Sequence, residues 1–415
     1  MPERIETVVV GGGQAGLSVS YYLAQAGREH VVLERGRVGE AWRTRWDSLR
    51  AVTPNWTLRL PGFPYAGDDP DGFATGAELA AYVEQYAASF GAPLRGGVDV
   101  RTLRQDGGTR RYVVEADGTA IAADNVVVAT GAFQQPRIPP LRDKQAPGVL
   151  ELHASEYRNP EQLSSGAVLI VGTGQSGCQI GQELNRSGRV VYLSAGSCGW
   201  VPQRYRGRDT AQWIVDLGMM DMTAAALPSA AARFACNPHV ARTDGAGDLR
   251  LQDLAREGVR LLGRLRGVSG GKAAFEADLR ETLAKADQYA ATFMANVDAY
   301  VARTGYDAPE EGPPPRNDAF APATTLELDL RAAKVDTILW ATGYRPDYEW
   351  VRLSVCDAGG HPVHSRGVTW YAGLYFVGLH WLHKRKSSLF LGVGEDAEYV
   401  VAHLVDRVKG RRVPF

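Results

Sequence analysis

LIVGTGQSGCQIGQEL, residues 169–184, reads as the opening of a nucleotide-binding unit, yet it lies deep inside a chain of 415 residues. An apolar run ends on Gly172-x-Gly174-x-x-Gly177, and a helical pattern follows at once. Between strand and helix such glycines permit a tight turn, a close approach of pyrophosphate and close helix–strand contact. The same plan has already appeared near the N-terminus, in TVVVGGGQAGLSVSYYLAQAG, residues 7–27, with Gly11-x-Gly13-x-x-Gly16. One chain therefore carries two βαβ openings: IETVVV, GGGQAG, LSVSYYLAQAG and HVVLE over residues 5–34, then GAVLIV, GTGQSG, CQIGQELNRSG and RVVYLS over 166–194.

Each turn leads into a helix N-terminus, whose unpaired N–H groups and partial positive charge suit a phosphate. The candidate binding residues are Gly11, Gly13, Gln14, Ala15 and Gly16 at the first turn, and Gly172, Gly174, Gln175, Ser176 and Gly177 at the second. Glu34, with Arg35 beside it, closes the strand after the first helix, where a carboxylate takes ribose hydroxyls. The equivalent strand of the second unit, VVYLSAGS, has no acidic residue; Ser194 and Ser197 stand there, and VPQRYRGRD supplies Arg204, Arg206 and Arg208. A carboxylate would repel a 2′-phosphate and a guanidinium binds one in bidentate fashion, so the second unit favours NADPH over NADH, with Arg204 the first choice. The alternative for these arginines is solvated surface charge.

Composition narrows the class without naming it. The chain is 45% hydrophobic and 22% charged, with 46 basic against 47 acidic residues, which asks for neither nucleic acid nor an anionic membrane surface. It exceeds the roughly 250–300 residues at which one core stops growing, so at least two packed units are expected. No apolar run approaches the ~20 residues of a membrane span, and MPERIE leads directly into a strand pattern; a cytoplasmic protein is expected. Cys178, Cys198, Cys236 and Cys356 lie far apart, with no C-x-x-C pair and no metal spacing, and read as reduced structural thiols; no metal is expected.

Short antiparallel strands are expected within residues 97–131, long helical patterns within 210–303 and a proline-rich loop over 308–322. Buried strands return in KVDTILW and GLYFVGLHW, and an amphipathic helix, GEDAEYVVAHLVDRV, follows. The fold class is α/β: two Rossmann-like dinucleotide-binding domains of the glutathione-reductase type, the second inserted in the first, with a helical insertion. The expected bounds are 1–160 plus 324–415 for the first domain and 161–323 for the second.

VVVATGAFQQPRIP, GVLELHASEYRNP, ILWATGYRPDY and GEAWRTRWDSLRAVTPNWTLRLPGFPY add to the two turns. Together they make the chain resemble the flavin-containing monooxygenases, class B flavoprotein monooxygenases of bacterial type, over nearly its whole length apart from residues 210–320. The resemblance implies FAD at the first turn and NADPH at the second. It implies a C4a-(hydro)peroxyflavin formed with molecular oxygen, and transfer of one oxygen atom to a nucleophilic nitrogen or sulfur of a small organic substrate. Baeyer–Villiger oxygenation of a ketone is the alternative within the class, and a non-catalytic FAD-binding protein is the alternative outside it. A thioredoxin-reductase-like enzyme would need a redox cysteine pair, which the spacing does not show.

By the same resemblance Trp42, Trp46, Val100, Thr130, Gly131, Thr342, Gly343, Ser388 and Leu389 are cofactor neighbours, and Asn55 is the catalytic candidate; core packing is the alternative for the tryptophans, and a strand ending in a permissive glycine for each Ala-Thr-Gly segment. The family fingerprint F-x-G-x-x-x-H-x-x-x-(Y/W) keeps its last spacing in His153 and Tyr157. It departs at Ala146 and Gly148. His153 reads as a satisfied structural histidine as readily as a functional one. Phe293 and Met294 are expected in a substrate wall or a helix core, and His383–Lys386 as an anion site or a solvated edge. The start of the last helix is expected toward the flavin ring. Oxygen and a small molecule are the implied partners, with no nucleic acid, no membrane and a homodimer left open.

Overall fold

The computed structural model describes residues 2–107, 111–141, 148–240, 247–312 and 322–410; Ala146 and most of the 308–322 loop lie outside them. β1 (Glu3–Val10), β2 (His30–Glu34), β3 (Leu94–Gly96), β4 (Val100–Gln105), β5 (Tyr112–Ala116) and β6 (Thr119–Val128) form a sheet in the order β3-β2-β1-β6-β5-β4. The first four pair in parallel, and β4 and β5 complete an antiparallel meander as the turn residues predict. Val8 and Val10 face one core while Val9 faces another, so both faces of β1 are covered. That is why its second half is continuously apolar instead of alternating. α1 (Gln14–Gln25) and α2 (Gly76–Ser89) pack on the Val9 side.

The second sheet repeats the plan. β7 (Leu150–His153), β8 (Ala167–Val171), β9 (Val191–Ser194), β10 (Arg260–Leu262) and β11 (Val335–Trp340) lie in the order β7-β11-β8-β9-β10, all parallel. Val168 and Ile170 enter one core; Leu169 and Val171 enter the other. α3 (Gln175–Arg186) covers the first of these faces with Cys178, Ile180 and Leu184.

Strand pairing groups the strands around the crossings. β7 and β11 both pair within the second sheet, so Leu150–His153 and Val335–Trp340 stand beside β8. The stretch 210–303 is also less helical than its periodicity suggests. Only α4 (Leu279–Thr304) is long; Thr210–Asp216 and Leu251–Arg256 are short, and residues 260–275 hold three strands. Gly270 and Gly271, both at positive φ, turn the hairpin between Leu265–Ser269 and Lys272–Phe275, a two-residue glycine turn that overrides helical spacing.

The returning β12 (Leu374–Phe376) pairs in parallel with the far half of β6, beyond the point where β5 has left it. α5 (Val393–Val408) then joins α1 and α2 in one core. The insertion has a core of its own, in which Phe293 and Met294 pack with Trp200, Tyr205, Trp213 and Val297. They are interior residues and not a substrate wall. In the run His383–Lys386 both lysines are paired with carboxylates. Lys384 and Lys386 each bridge Asp221 and Glu395 at 2.5–2.9 Å, and Ala224 N donates to His383 O at 2.8 Å, clasping the insertion to the start of α5.

Burial holds several imidazoles neutral. His30, His153, His239 and His380 are pulled below the ordinary value by desolvation, and His364 is pushed down to about 4 by desolvation and then by Arg233. A depressed histidine binds more protons unfolded than folded, so its contribution is full above pH ~6.5 and is lost as pH falls toward the folded value. The urea midpoint is expected to drop between pH 7.5 and 5. His364→Gln should flatten that drop by on the order of 1–2 kcal/mol; an identical pH slope in the variant would refute the assignment.

Candidate functional site

The two glycine turns repeat each other almost atom for atom. Gly11 has φ +108°, and a Cβ there would lie 2.5 Å from Ala129 O; Gly172 has φ +107°, and its Cβ would lie 2.6 Å from Ala341 O. Gly11 N donates to Leu33 O at 2.8 Å and Gly172 N to Ser194 O at 3.1 Å, while Ala129 N and Ala341 N donate to Val10 O and Val171 O at 2.8 and 2.9 Å. Each Ala-Thr-Gly segment thus presses on the first glycine of one turn, which explains why the chain contains two of them. A Cβ at Gly16 or Gly177 would strike the carbonyl of Gly11 or Gly172 at 1.8 or 2.1 Å. Only a glycine fits these places.

The helix starts are left open. α1 begins at Gly13 and α3 at Gly174, with no side-chain cap and no acidic residue in the first turn. By contrast, α2 is closed by a capping box of Thr75 and Glu78. Uncapped N–H groups in an unopposed positive field are what an anion requires. A Cβ at Gly13 would meet nothing within 4 Å, so space lies in front of those donors.

Around the first turn, the Glu34 carboxylate accepts from Gly12 N at 2.7 Å and Gly36 N at 2.9 Å, fixing it beside the turn. Gln14 Nε2 donates to Ser388 O at 3.1 Å, and a Cβ at Gly378 would lie 2.6 Å from Ala15 Cβ; the loop before α5 therefore seats on the start of α1. Thr130 accepts from Gln134 at 2.7 Å, and Gly131 takes φ +75°. Arg35 and Leu389 are exposed, and Val100 is half-buried at the start of β4. Trp42 stacks on Phe390 with ring centroids 5.7 Å apart. Trp46 packs with Tyr157 and Cys178 in the core of the second unit, so it joins the two units. Asn55 is buried; its Nδ2 donates to Asp69 O at 2.9 Å, but its Oδ1 and the neighbouring Trp56 Nε1 have no protein partner. Such orphans cost about 1–3 kcal/mol each, which a ligand atom would offset.

Between the units, the fingerprint histidine is structural. His153 is 1% exposed, its Nε2 lies 3.0 Å from Gly343 O and its Nδ1 2.8 Å from Ser155 Oγ. It ties the outgoing crossing to the returning one. Tyr157 donates to Glu183 Oε2 at 2.8 Å, and desolvation raises both their pKa values. Thr342 donates to Arg137 O, and Gly343 O accepts from Arg137 N at 2.9 Å. Sequence reading missed a group at this junction. Arg45 Nη1 donates to Tyr344 OH at 2.7 Å, and its guanidinium lies over Phe133 at 5.2 Å; Phe133, 58% exposed, packs on His380. The available signal was position, since Phe133 and Tyr344 each follow an Ala-Thr-Gly segment.

At the second turn the side chains take distinct places. Ser194 is buried, donating to Gly263 O at 2.9 Å and accepting from Leu265 N at 3.1 Å, so its hydroxyl is consumed inside the sheet. Ser197 is exposed. Arg206 pairs with Asp298 at 2.9 Å, and Arg208 with Asp216 at 2.5 Å beneath Trp213 and Tyr306. Arg204 is exposed, donates to Gly207 O at 2.8 Å and borders an open cavity of about 620 Å³ with Asp71, Phe73, Asp209 and Asp248. Burial pushes Asp209 up to about 6.

Two of the cysteines, distant in sequence, meet beside this turn. Cys198 and Cys236 bring their Sγ atoms within 3.0 Å of one another, both as free thiols. Residues 236–240 lie along the turn itself: His239 Nε2 meets Thr173 O, Val240 N donates to Gln175 Oε1 at 3.2 Å, and a Cβ at Gly174 would touch Cys236 Sγ at 3.5 Å. Ser176, at the start of α3, is half-buried. Among the described residues no cluster could hold a metal ion, and no helix is long and apolar enough to cross a membrane.

Two sheets with parallel central strands, each opening on a glycine turn and joined by paired crossings, define an oxidoreductase fold of the flavin monooxygenase kind. Residues 8–214 match the family described as pyridine nucleotide-disulphide oxidoreductase. Over 410 residues the chain is 32% identical to the CzcO-like oxidoreductase of Geobacillus kaustophilus, covering 98% of this chain and 100% of that one. The chain belongs to the CzcO-like oxidoreductases. Among solved structures it is similar to a flavin-containing monooxygenase from Stenotrophomonas maltophilia, with a TM-score of 0.66, 19% identity and coverage of 98% and 99% of the two chains. It is also similar to the ornithine N-hydroxylase of Kutzneria sp. 744, with a TM-score of 0.64, 18% identity and coverage of 98% and 100%.

Proposed function

We propose that this chain is an NADPH-dependent FAD monooxygenase that passes one oxygen atom from O2 to a nucleophilic nitrogen or sulfur of a small organic substrate. The observation that carries the reading is the repeated turn geometry, in which two helices without side-chain caps each start on an extended glycine, with open space before Gly13 and only Cys236 Sγ, at 3.5 Å, before Gly174. The first turn takes FAD: α1 faces its pyrophosphate and Glu34 its ribose. Asn55 Oδ1 and Trp56 Nε1, buried and unpartnered, suit polar atoms of the ring system. Bound FAD supplies hydride acceptance and oxygen activation. The second turn takes NADPH, with α3 facing its pyrophosphate and Arg204 its 2′-phosphate.

The chain's own residues position and enclose. His153 and Tyr157 hold the crossings so that the two turns keep one relative placement, and Arg45 braces Phe133 against Tyr344 beside them. Arg204→Ala is expected to raise the KM for NADPH about tenfold, near 1.4 kcal/mol, while leaving that for NADH unchanged. An equal change for both nucleotides would reassign Arg204 to the hairpin that carries it. The function itself is tested by matching NADPH oxidised, O2 consumed and oxygenated product across amines and sulfides. A one-to-one-to-one ratio is expected with a true substrate; NADPH oxidation that ends wholly in hydrogen peroxide across the panel would contradict oxygen transfer.

A further inference from the structure

We propose that Cys198 and Cys236 form a reversible disulfide that locks residues 236–240 against the second glycine turn and excludes the nucleotide there. The proposal rests on the reading of that turn as the NADPH site. The sulfur atoms stand 3.0 Å apart, so an approach of about 1 Å reaches the disulfide length. Cys236 is anchored to the turn by its neighbours: His239 holds Thr173 O, Val240 holds Gln175 and Cys236 itself overlies Gly174. Cys198 lies just after β9, in the loop whose Gly196 N donates to Thr173 Oγ1 at 2.9 Å. A covalent link between these two places closes the strip across which a pyrophosphate must lie. Without it, the strip is held by hydrogen bonds that a nucleotide can replace.

The two thiols differ in the way a redox pair requires. Cys236 is exposed, while Cys198 is buried and donates to Asn237 O at 2.9 Å. The thiol of Cys198 beside it holds Cys236 below the ordinary thiol range, and the same contact with burial pushes Cys198 up. Cys236 is therefore the sulfur that meets an oxidant and Cys198 the one that resolves it. With hydrogen peroxide as oxidant, the Cys236 thiolate attacks one peroxide oxygen, the O–O bond breaks, and protonation of the leaving hydroxide gives Cys236 sulfenic acid and water. Cys198 then attacks that sulfur; the S–O bond breaks, the Cys198 proton leaves with the hydroxide as a second water, and the disulfide forms. Two thiols and one peroxide become one disulfide and two waters. A flavoprotein that leaks peroxide would in this way close its own electron supply.

The test treats FAD-loaded protein with a small excess of hydrogen peroxide, blocks remaining thiols and analyses a non-reducing digest by mass spectrometry. Anaerobic flavin reduction at subsaturating NADPH is followed in parallel. The expected result is a linked peptide pair containing Cys198 and Cys236, unchanged flavin content and reduction slowed at least tenfold, all reversed by dithiothreitol. Cys198→Ser should reduce normally before peroxide and keep that rate after it. Oxidation without the linked pair would overturn the site, and a linked pair with unchanged NADPH kinetics would overturn the latch. If Gly174→Val leaves NADPH reduction of the untreated protein unchanged, the underlying reading of the turn fails and the latch falls with it, whereas the linked peptide is read independently of any nucleotide.

Discussion

Gly13→Val is expected to give a folded protein that purifies colourless. Gly13 has φ −84° and ψ −172°, extended backbone that valine adopts readily, and a Cβ there meets nothing within 4 Å. The substitution therefore costs the fold little, while two methyl groups fill the space in front of the open α1 donors. FAD content should fall at least tenfold, with the thermal transition of the apoprotein matching that of wild type stripped of flavin. Gly11→Val is the instructive contrast. At φ +108° and 2.5 Å from Ala129 O it should fail to fold. The pair separates a ligand-facing glycine from a packing one, by the ratio of flavin absorbance to protein and by circular dichroism. A Gly13→Val protein with full flavin content would place FAD elsewhere.

Phe293→Ala is expected to destabilise the insertion strongly while leaving a folded protein. The ring is 4% exposed on α4 among Trp200, Tyr205, Trp213 and Val297, and truncating such a side chain costs about 3–5 kcal/mol. Because this core belongs to the insertion, the insertion should unfold first in urea while FAD stays bound at the first turn. Its clasp of Asp221 to Lys384 and Lys386 should loosen at the same denaturant concentration. An unchanged unfolding curve together with altered substrate preference would restore Phe293 to a substrate wall.

The parts of this molecule legible in sequence are those set by local spacing. A valine run, a glycine triplet and an amphipathic helix occupy neighbouring positions, so both βαβ openings and the strands of the first excursion follow directly. The two Ala-Thr-Gly segments are also visible, although their shared role, each pressing a carbonyl on a first glycine, arises only in the folded chain. What stayed hidden depends on distant partners. The sheet to which β7 and β11 belong is one such feature, because strand pairing is decided by tertiary contact and not by the apolar character of each run. Residues 260–275 carry an apolar pattern that fits helix or strand, and the Gly270–Gly271 turn decides between them. The inward turn of the Ser194 hydroxyl toward Gly263 O is another, because a strand end gives no sign of which face its side chain takes. Cys198 and Cys236 meet only because the insertion folds back on the second turn, and Arg45 reaches Tyr344 across 299 positions.

The central claim is that electrons pass from a nucleotide at the second turn to a flavin at the first. Its most direct test is anaerobic stopped-flow reduction of the yellow protein by NADPH, beside Gly174→Val. Gly174→Val adds a Cβ that meets only Cys236 Sγ at 3.5 Å, so the variant should fold and keep its flavin. The account predicts rapid bleaching of wild-type flavin by NADPH, slower bleaching by NADH, and a loss of at least a hundredfold in Gly174→Val with flavin content intact. Equal reduction of both proteins, or loss of flavin from Gly174→Val, would contradict it.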